Sequence, residues 1–200
     1  MGAISRLVHS DLHRYVGRET SISDLLKQLL LNRSFRYSFW LRMCGCRNTP
    51  LRWLSICIHR QLSNRYGIQI PRNVRIGHGL FIGHHMCIVV ADSTTIGNNC
   101  NLSQFTTIGS NKGQAATIGD NVYIGPGVCI VENVTLGNNA TIGAGSVVVK
   151  DVPQDSTVAG NPARVVSMKD PGRFVNHRWT GAAIQNRQDG PLAATNASLS

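Results

Sequence analysis

Residues 118–147 read IGDNVY-IGPGVC-IVENVT-LGNNAT-IGAGSV, consecutive hexads that each open on an aliphatic residue. The same period of six runs upstream through two further series: Ile70, Ile76, Ile82 and Ile88, then Val90, Ile96, Leu102 and Ile108. A hexapeptide repeat is the sequence pattern of a parallel β-helix, because each hexad supplies one short strand and one corner. A chance aliphatic run in a β-sandwich does not sustain the period over so many hexads.

The hexads also predict which side chains fill the interior. The opening aliphatic residue is expected to point inward, and so is the smaller residue four places later: Cys100, Thr106, Val122, Val128, Val134, Ala140 and Ser146. Corners need backbone angles that Asn, Asp and Gly tolerate best, and Asn98-Asn99, Asp120-Asn121 and Asn138-Asn139 supply them. The predicted fold class is mainly β, a left-handed parallel β-helix of stacked coils with a short α-helical N-terminal region.

The repeat divides the chain into three regions. Residues 1–67 are predicted to form the α-helical region, with Ser23 capping the run DLLKQLLL. Residues 68–168 are predicted to form the β-helix domain, from which the polar stretch GSNKGQAAT (residues 109–117) projects as a loop. Residues 169–200 are small and polar, and we predict a disordered tail.

The positive charge of the chain is concentrated at its start. Residues 1–75 carry 13 Lys/Arg and 3 Asp/Glu, whereas residues 76–200 carry 7 of each. Such a basic segment either makes peripheral contact with acidic membrane lipid or an anionic ligand, or is a solvated helix face. No nucleic-acid-binding motif accompanies the charge, so we predict no nucleic-acid partner.

Several classes of protein are disfavoured by what the sequence lacks. The start has no apolar signal-peptide core, and no apolar run is long enough for a transmembrane helix. The six cysteines lack paired zinc spacing. We therefore expect a cytoplasmic protein with free thiols and no metal.

Three motifs resemble bacterial serine acetyltransferases and their shorter relatives in polysaccharide gene clusters. They are the hexapeptide repeat, GLFIGHHMCIVV (Gly79–Val90) and AGNPARVV (Ala159–Val166), and SDLHRY (Ser10–Tyr15) and FRYSFWLR (Phe35–Arg42) resemble the shorter relatives as well. The resemblance implies an O-acetyltransferase that uses acetyl-CoA as co-substrate. It also implies a homotrimer whose subunit interfaces complete the active sites.

The resemblance places the catalytic histidine of the family at His84. A positioned imidazole, with an unperturbed pKa of about 6.5, can take the proton of an attacking hydroxyl. The two acids that flank and support this histidine in true serine acetyltransferases correspond to Gly83 and Gln69, and the Gln69 amide oxygen can still orient His84. The loop that carries an Arg-His pair for the serine carboxylate in the family holds Lys112 and Gln114 here. The predicted acceptor is a small hydroxyl compound, either L-serine or a saccharide.

The resemblance also implies binding residues. His85, a neighbour of the base, is expected at the acceptor. Lys112 is expected at the acceptor as well, the alternatives being a CoA phosphate or a solvated loop position. CoA is expected to run along the C-terminal coils, where small residues leave the backbone accessible and an arginine meets a phosphate: Gly125, Gly143, Ala144, Gly145 and Arg164. The alternatives are a non-catalytic scaffold, which the missing acids would explain, and a carbonic-anhydrase-like metal site, for which the spacing of His78, His84 and His85 is unsuited.

Overall fold

A computed structural model describes residues 2–111 and 113–181. Four helices come first, namely α1 (Ala3–Val16), α2 (Ile22–Leu31), α3 (Arg33–Met43) and α4 (Thr49–Tyr66). Asn48 caps α4 by accepting a hydrogen bond from the Leu51 N–H, and Gly67 ends it in the left-handed conformation at φ 65°. Among the described helices, none is long and apolar enough to span a bilayer.

The cap of α2 differs from the prediction. Ser21, not Ser23, precedes the helix, and its hydroxyl accepts from the Asp24 N–H at 3.2 Å. The Asp24 carboxylate accepts in return from the Ser21 N–H at 3.0 Å. This capping box needs an acid three residues after the cap, and only Ser21 is so placed. Ser23 therefore lies inside the first turn.

Short parallel strands form three faces after the helices, and every third strand stacks on the same face. Their bounds are β1 (Arg75–Ile76), β2 (Phe81–Ile82), β3 (Val89–Val90), β4 (Thr95–Ile96), β5 (Asn101–Leu102), β6 (Thr107–Ile108), β7 (Thr117–Ile118), β8 (Tyr123–Ile124), β9 (Cys129–Ile130), β10 (Thr135–Leu136), β11 (Thr141–Ile142), β12 (Val147–Val148), β13 (Thr157–Gly160) and β14 (Ala163–Ser167). The faces run β1-β4-β7-β10, β2-β5-β8-β11-β13 and β3-β6-β9-β12, and β14 pairs antiparallel with β13. The predicted parallel β-helix is confirmed.

The predicted interior is also confirmed. All residues of the two inward series are buried except Ile76, which is half-buried. Burying one such aliphatic side chain contributes about 1.5–3 kcal/mol, so the stack of coils is the main source of stability.

At one corner of the β-helix, side-chain hydrogen bonds connect successive coils. Asn99 donates to Asn121 at 3.3 Å, Asn121 to Asn139 at 3.0 Å, and Asn139 to Asp155 at 2.8 Å. All four have positive φ, between 55° and 60°. Asparagine and aspartate tolerate this conformation better than other side chains, which explains their recurrence at the predicted corners.

A buried ion pair joins the helices to the first coil. Arg42 of α3 contacts the Asp11 carboxylate of α1 at 2.9 and 3.1 Å. Asp11 also accepts from the Leu80 N–H at 2.8 Å, and Arg42 donates to the carbonyls of Ile76 and Gly77. The pair thus satisfies backbone groups of the coil as well as its own charges.

The segment after β14 corrects the predicted tail. Residues 169–181 pack against α1 and the β-helix: Asn101 donates to the Phe174 carbonyl at 3.0 Å, and Arg14 donates to the Asn176 carbonyl at 2.9 Å. The side chain of Val175 is buried. The prediction of disorder from residue 169 is therefore wrong for this part, because corner amides and a buried arginine supply its backbone partners. Residues 182–200 lie outside the described residues.

The described residues of the stretch at 109–117 pack against the β-helix instead of projecting freely. The N–H groups of Asn111 and Gly113 donate to the Glu132 carboxylate at 2.8 and 3.0 Å. Ala115 donates to the Ser93 hydroxyl at 3.0 Å, and its side chain is buried. Glu132 and Ser93, on neighbouring coils, accept these hydrogen bonds. The polar composition of the stretch does not predict either partner.

Candidate active site

One edge of the β-helix carries most of the predicted site residues. This histidine edge consists of the turns at 83–88, 103–106, 125–128 and 143–146, each of which joins a strand of the β2 face to a strand of the β3 face. Backbone hydrogen bonds link the turns, among them Phe105 N–H to Met86 O at 3.2 Å and Gly145 N–H to Pro126 O at 2.8 Å. His84 lies in the first turn. With coils about 4.8 Å apart, the fourth turn is roughly 14 Å from it.

His84 is exposed and lines a cleft of about 270 Å³ on the β2-β5-β8 side of this edge. The other lining residues are Phe81, Gly83, Asn101, Ser103, Tyr123 and Phe174. The rings of Tyr123 and Phe174 pack with centroids 4.9 Å apart, and the Asn101 side chain is held by Arg14 and the Phe174 carbonyl. The cleft is therefore aromatic and polar, and no Lys, Arg, Asp or Glu among residues 2–111 and 113–181 lines it.

His85 faces a second cleft, of about 350 Å³, beside the end of α4. Its ring packs edge-on against Tyr66, with centroids 5.0 Å apart. Arg33 and Arg65 line the same cleft. Partial burial lowers the pKa of His85, and the positive charge of Arg33 and the neighbouring His84 lower it further.

Gln69 makes no hydrogen bond to His84 among the described residues. Its backbone pairs with the coil, donating to Ile88 O at 2.7 Å and accepting from Val90 N–H at 2.9 Å. Its side chain is exposed and lines neither cleft. In the part of the chain that the structure describes, the His84 imidazole has no hydrogen-bond partner, so the predicted orientation by Gln69 stays a prediction.

Some of the residues predicted to bind CoA are exposed on the surface, and others are packed between coils. Ala144 and Gly145 are exposed at the fourth turn, Gly145 has φ 68°, and nothing lies within 4 Å of where its Cβ would be. Gly143 is half-buried under β13. Gly125 is buried, and a Cβ there would lie 2.8 Å from Ile142 O. Packing between coils therefore accounts for Gly125.

Two predicted contacts remain, Arg164 and Lys112. Arg164 is exposed on β14, where its guanidinium donates to the Ala163 carbonyl at 3.0 Å. Lys112 lies outside the described residues. Across residues 2–111 and 113–181, no group of three His, Cys, Asp or Glu side chains is placed to hold a metal ion.

Several residues that line the clefts were not predicted from the sequence, and four of them add an aromatic ring or a charge. Tyr123 and Phe174 flank His84, and Arg33 and Arg65 flank His85. Tyr123 occupies an outward-facing position of its hexad, so the repeat predicts that its side chain points away from the interior. The repeat does not predict that Phe174 packs beside it. Phe174 comes from a segment without a repeat, and the arginines come from helix ends whose packing the repeat does not determine.

Comparisons with known proteins place these features in a family. The model for "Bacterial transferase hexapeptide (six repeats)" matches residues 115–150. The serine acetyltransferase 3 (mitochondrial) of Arabidopsis thaliana is 39% identical over 121 residues, covering 58% of this chain and 31% of that protein. The chain spans less than half the length of the curated plant relatives reported for it.

Solved structures match over more of their length. Soybean serine acetyltransferase complexed with serine superposes with a TM-score of 0.69 at 31% identity, covering 82% of this chain and 70% of that one. Serine acetyltransferase from Brucella abortus in complex with coenzyme A superposes with a TM-score of 0.68 at 26% identity, covering 82% and 67%.

Proposed function

The chain belongs to the serine acetyltransferase family, and from this premise we propose that it transfers the acetyl group of acetyl-CoA to a hydroxyl acceptor, with His84 as general base. One observation carries the proposal. His84 and the exposed backbone at Ala144 and Gly145 lie on the same edge of the β-helix, roughly 14 Å apart. An extended pantetheine arm laid along this edge brings its thioester to the histidine.

The chemistry follows from the groups at the first turn. The acceptor hydroxyl loses its proton to His84 as its oxygen attacks the thioester carbonyl carbon. The backbone N–H groups of His84 and His85 form no hydrogen bond with any described residue, so they are available to the tetrahedral oxyanion. When the intermediate collapses, the C–S bond breaks and the protonated histidine returns the proton to the CoA thiolate. No acyl-enzyme is needed.

L-serine is the acceptor that the relatives support, because the soybean structure is described as complexed with serine. A saccharide hydroxyl is the second candidate, favoured by the cleft of His84. That cleft has aromatic walls, and none of the described residues that line it is a Lys, Arg, Asp or Glu. The walls of this cleft themselves offer no charged partner to a zwitterionic amino acid, whereas a sugar ring can stack on their aromatic faces.

A homotrimer is proposed on the distribution of exposed apolar side chains. They form a row along the histidine edge and the β3-β6-β9-β12 face beside it: Met86, Val89, Phe105, Val131 and Val149. Burying this row against a second copy would place subunit interfaces next to His84. Light scattering tests this: Val131→Glu should yield smaller species, whereas the control Val166→Glu, on β14, should not.

Peripheral membrane contact is proposed through α2. Its Ile22, Leu26 and Leu30 are 78%, 56% and 73% exposed, and Leu31 is 74% exposed. Within α2 the acid Asp24 is paired with Arg18. No aspartate or glutamate occurs between Asp24 and Asp92, so the rest of this apolar row is followed along the chain by basic residues alone. Apolar side chains flanked by basic residues suit the surface of an anionic bilayer.

The transferase proposal is tested by CoA release from acetyl-CoA, measured with L-serine and, separately, with a panel of sugars and sugar phosphates. Acceptor-dependent release supports the proposal and identifies the acceptor class. A non-catalytic scaffold would release no CoA with any acceptor, and that result would overturn the proposal.

A further inference from the structure

The cleft of His85 collects positive charge that nothing in its surroundings neutralises. Arg33, at the start of α3, and Arg65, near the end of α4, both line it. Neither guanidinium makes a hydrogen bond or ion pair with a residue in the described ranges. The chain has no acid between Asp24 and Asp92, so no neighbour along this part of the sequence can supply one.

The other arginines of α3 show that this is not a general property of the helix. Arg36 donates to the carbonyls of Leu29 and Leu30 at the end of α2. Arg42 is paired with Asp11. These two arginines hold the helices together, whereas the Arg33 side chain is exposed and makes no such bond within the described residues.

The position of the cleft relates it to the proposed reaction. Its lining residues Met86 and Cys87 belong to the same turn as His84, and the Cys87 N–H donates to Tyr66 O at 3.1 Å, which holds that turn against the end of α4. His84 and His85 are consecutive, so their Cα atoms are about 3.8 Å apart. A ligand bound by the arginines can therefore extend over the turn to the catalytic candidate.

We propose that Arg33, Arg65 and His85 form a subsite for an anionic oxygen group, a phosphate or a carboxylate, carried by the acceptor. Guanidinium groups bind such oxygens through paired, charge-assisted hydrogen bonds. The assignment of the anion to the acceptor rests on the proposed transferase function; binding of the anion itself does not. The predicted CoA contacts lie roughly 14 Å away at the other end of the histidine edge, which favours the acceptor over CoA as the source.

Occupancy of the subsite should change the titration of His85. The charged or titratable groups around it are Arg33 of α3, Arg65 and Tyr66 of α4, and His84 and Cys87 of its own turn. Burial lowers the pKa of His85, and the charge of Arg33 and the neighbouring His84 lower it further. A bound dianion opposes the arginine charges and stabilises the imidazolium, so the pKa should rise.

The test uses inorganic phosphate as the probe on the full chain. Calorimetry measures its dissociation constant, and NMR titration of the His85 ring follows the pKa with and without phosphate. Arg33→Gln and Arg65→Gln should each weaken phosphate binding on the order of tenfold and abolish the pKa rise. Arg60→Gln, an exposed arginine of α4 outside the cleft, should leave both unchanged. Equal weakening in all three variants, or no pKa rise in the unmodified chain, would overturn the subsite.

A kinetic arm identifies the source of the anion. If the acceptor carries it, Arg33→Gln should raise KM for a sugar phosphate or for L-serine and leave KM for acetyl-CoA unchanged. If only KM for acetyl-CoA rises, the anion belongs to CoA and the assignment to the acceptor is wrong. Phosphate binding without acceptor-dependent CoA release would instead contradict the transferase proposal and leave the subsite standing.

Discussion

His84 and His85 are neighbours in the chain, but their side chains line different clefts. His84 faces an aromatic cleft without Lys, Arg, Asp or Glu, and His85 faces Arg33 and Arg65. Two consecutive residues of one turn therefore lie in two different chemical environments. Under the proposed function, this division assigns the two histidines different roles, one in chemistry and one in binding.

His85→Asn should act on acceptor binding and not on the chemical step. The substitution removes an imidazole that packs on Tyr66 and faces the arginines, while His84 keeps its own cleft. We expect KM for an anionic acceptor to rise and kcat to change by less than about threefold. Steady-state CoA release checks this, and an equal fall of kcat and kcat/KM would show that His85 takes part in the reaction.

Asp11→Asn should destabilise the protein by about 3–5 kcal/mol, because it leaves the buried guanidinium of Arg42 without its counter-charge. Urea unfolding monitored by circular dichroism measures the change. Arg18→Gln breaks the other ion pair, in which Arg18 is well exposed, and should have a much smaller effect. Similar losses of unfolding free energy in the two variants would contradict the view that the Asp11–Arg42 pair matters more to stability because it is buried.

His59 should make the fold sensitive to mild acid. Its ring is 3.0 Å from the Tyr37 hydroxyl, and burial, with the nearby charge of Arg72, lowers its pKa to about 4. An unfolded histidine has a pKa of about 6.5, so between these values the unfolded chain binds a proton that the folded chain does not. Stability should therefore fall as pH decreases from about 6.5 to about 4.

The matched variant for this prediction is His59→Gln, which has no proton to bind. Carboxylates titrate in both proteins, so the quantity to compare is the difference in unfolding free energy between them as a function of pH. On acidification from about pH 6.5 to about pH 4, the unmodified chain should lose more unfolding free energy than the His59→Gln variant. A difference independent of pH would show that His59 is not held neutral.

The α2 surface should bind anionic vesicles. Sedimentation with phosphatidylglycerol-containing vesicles should carry down the unmodified chain, and zwitterionic vesicles should not. Leu26→Glu with Leu30→Glu should abolish the binding, since both side chains are exposed and contribute apolar contact. Val166→Glu, equally exposed but on β14, serves as the control. If light scattering instead shows that the α2 variant splits a larger assembly, the surface contacts a second copy of the chain.

The sequence predicts the β-helix in detail because one rule repeats along it. The period of six fixes which side chains point inward, and Asn99, Asn121 and Asn139 mark their corner. Local chemistry outside the repeat is harder to read. Two serines stand near the start of α2, and the acid at Asp24 decides between them only through geometry.

The candidate site is predictable only where it lies within the repeat. His84 follows from the motif that surrounds it, whereas Phe174 reaches the cleft from 90 positions later in the chain through the hydrogen bond to Asn101. Arg33 and Arg65 reach the second cleft because α3 and α4 pack together, with their start and end near the same turn. Such contacts between distant segments have no periodic signature.

The central claim is tested most directly by CoA release from acetyl-CoA in the His84→Ala variant, with the acceptor that the unmodified chain uses and with folding verified by circular dichroism. Loss of a general base should lower kcat on the order of 10²–10⁴-fold while acetyl-CoA still binds. Turnover within a few-fold of the unmodified chain would contradict the account and remove His84 from the reaction.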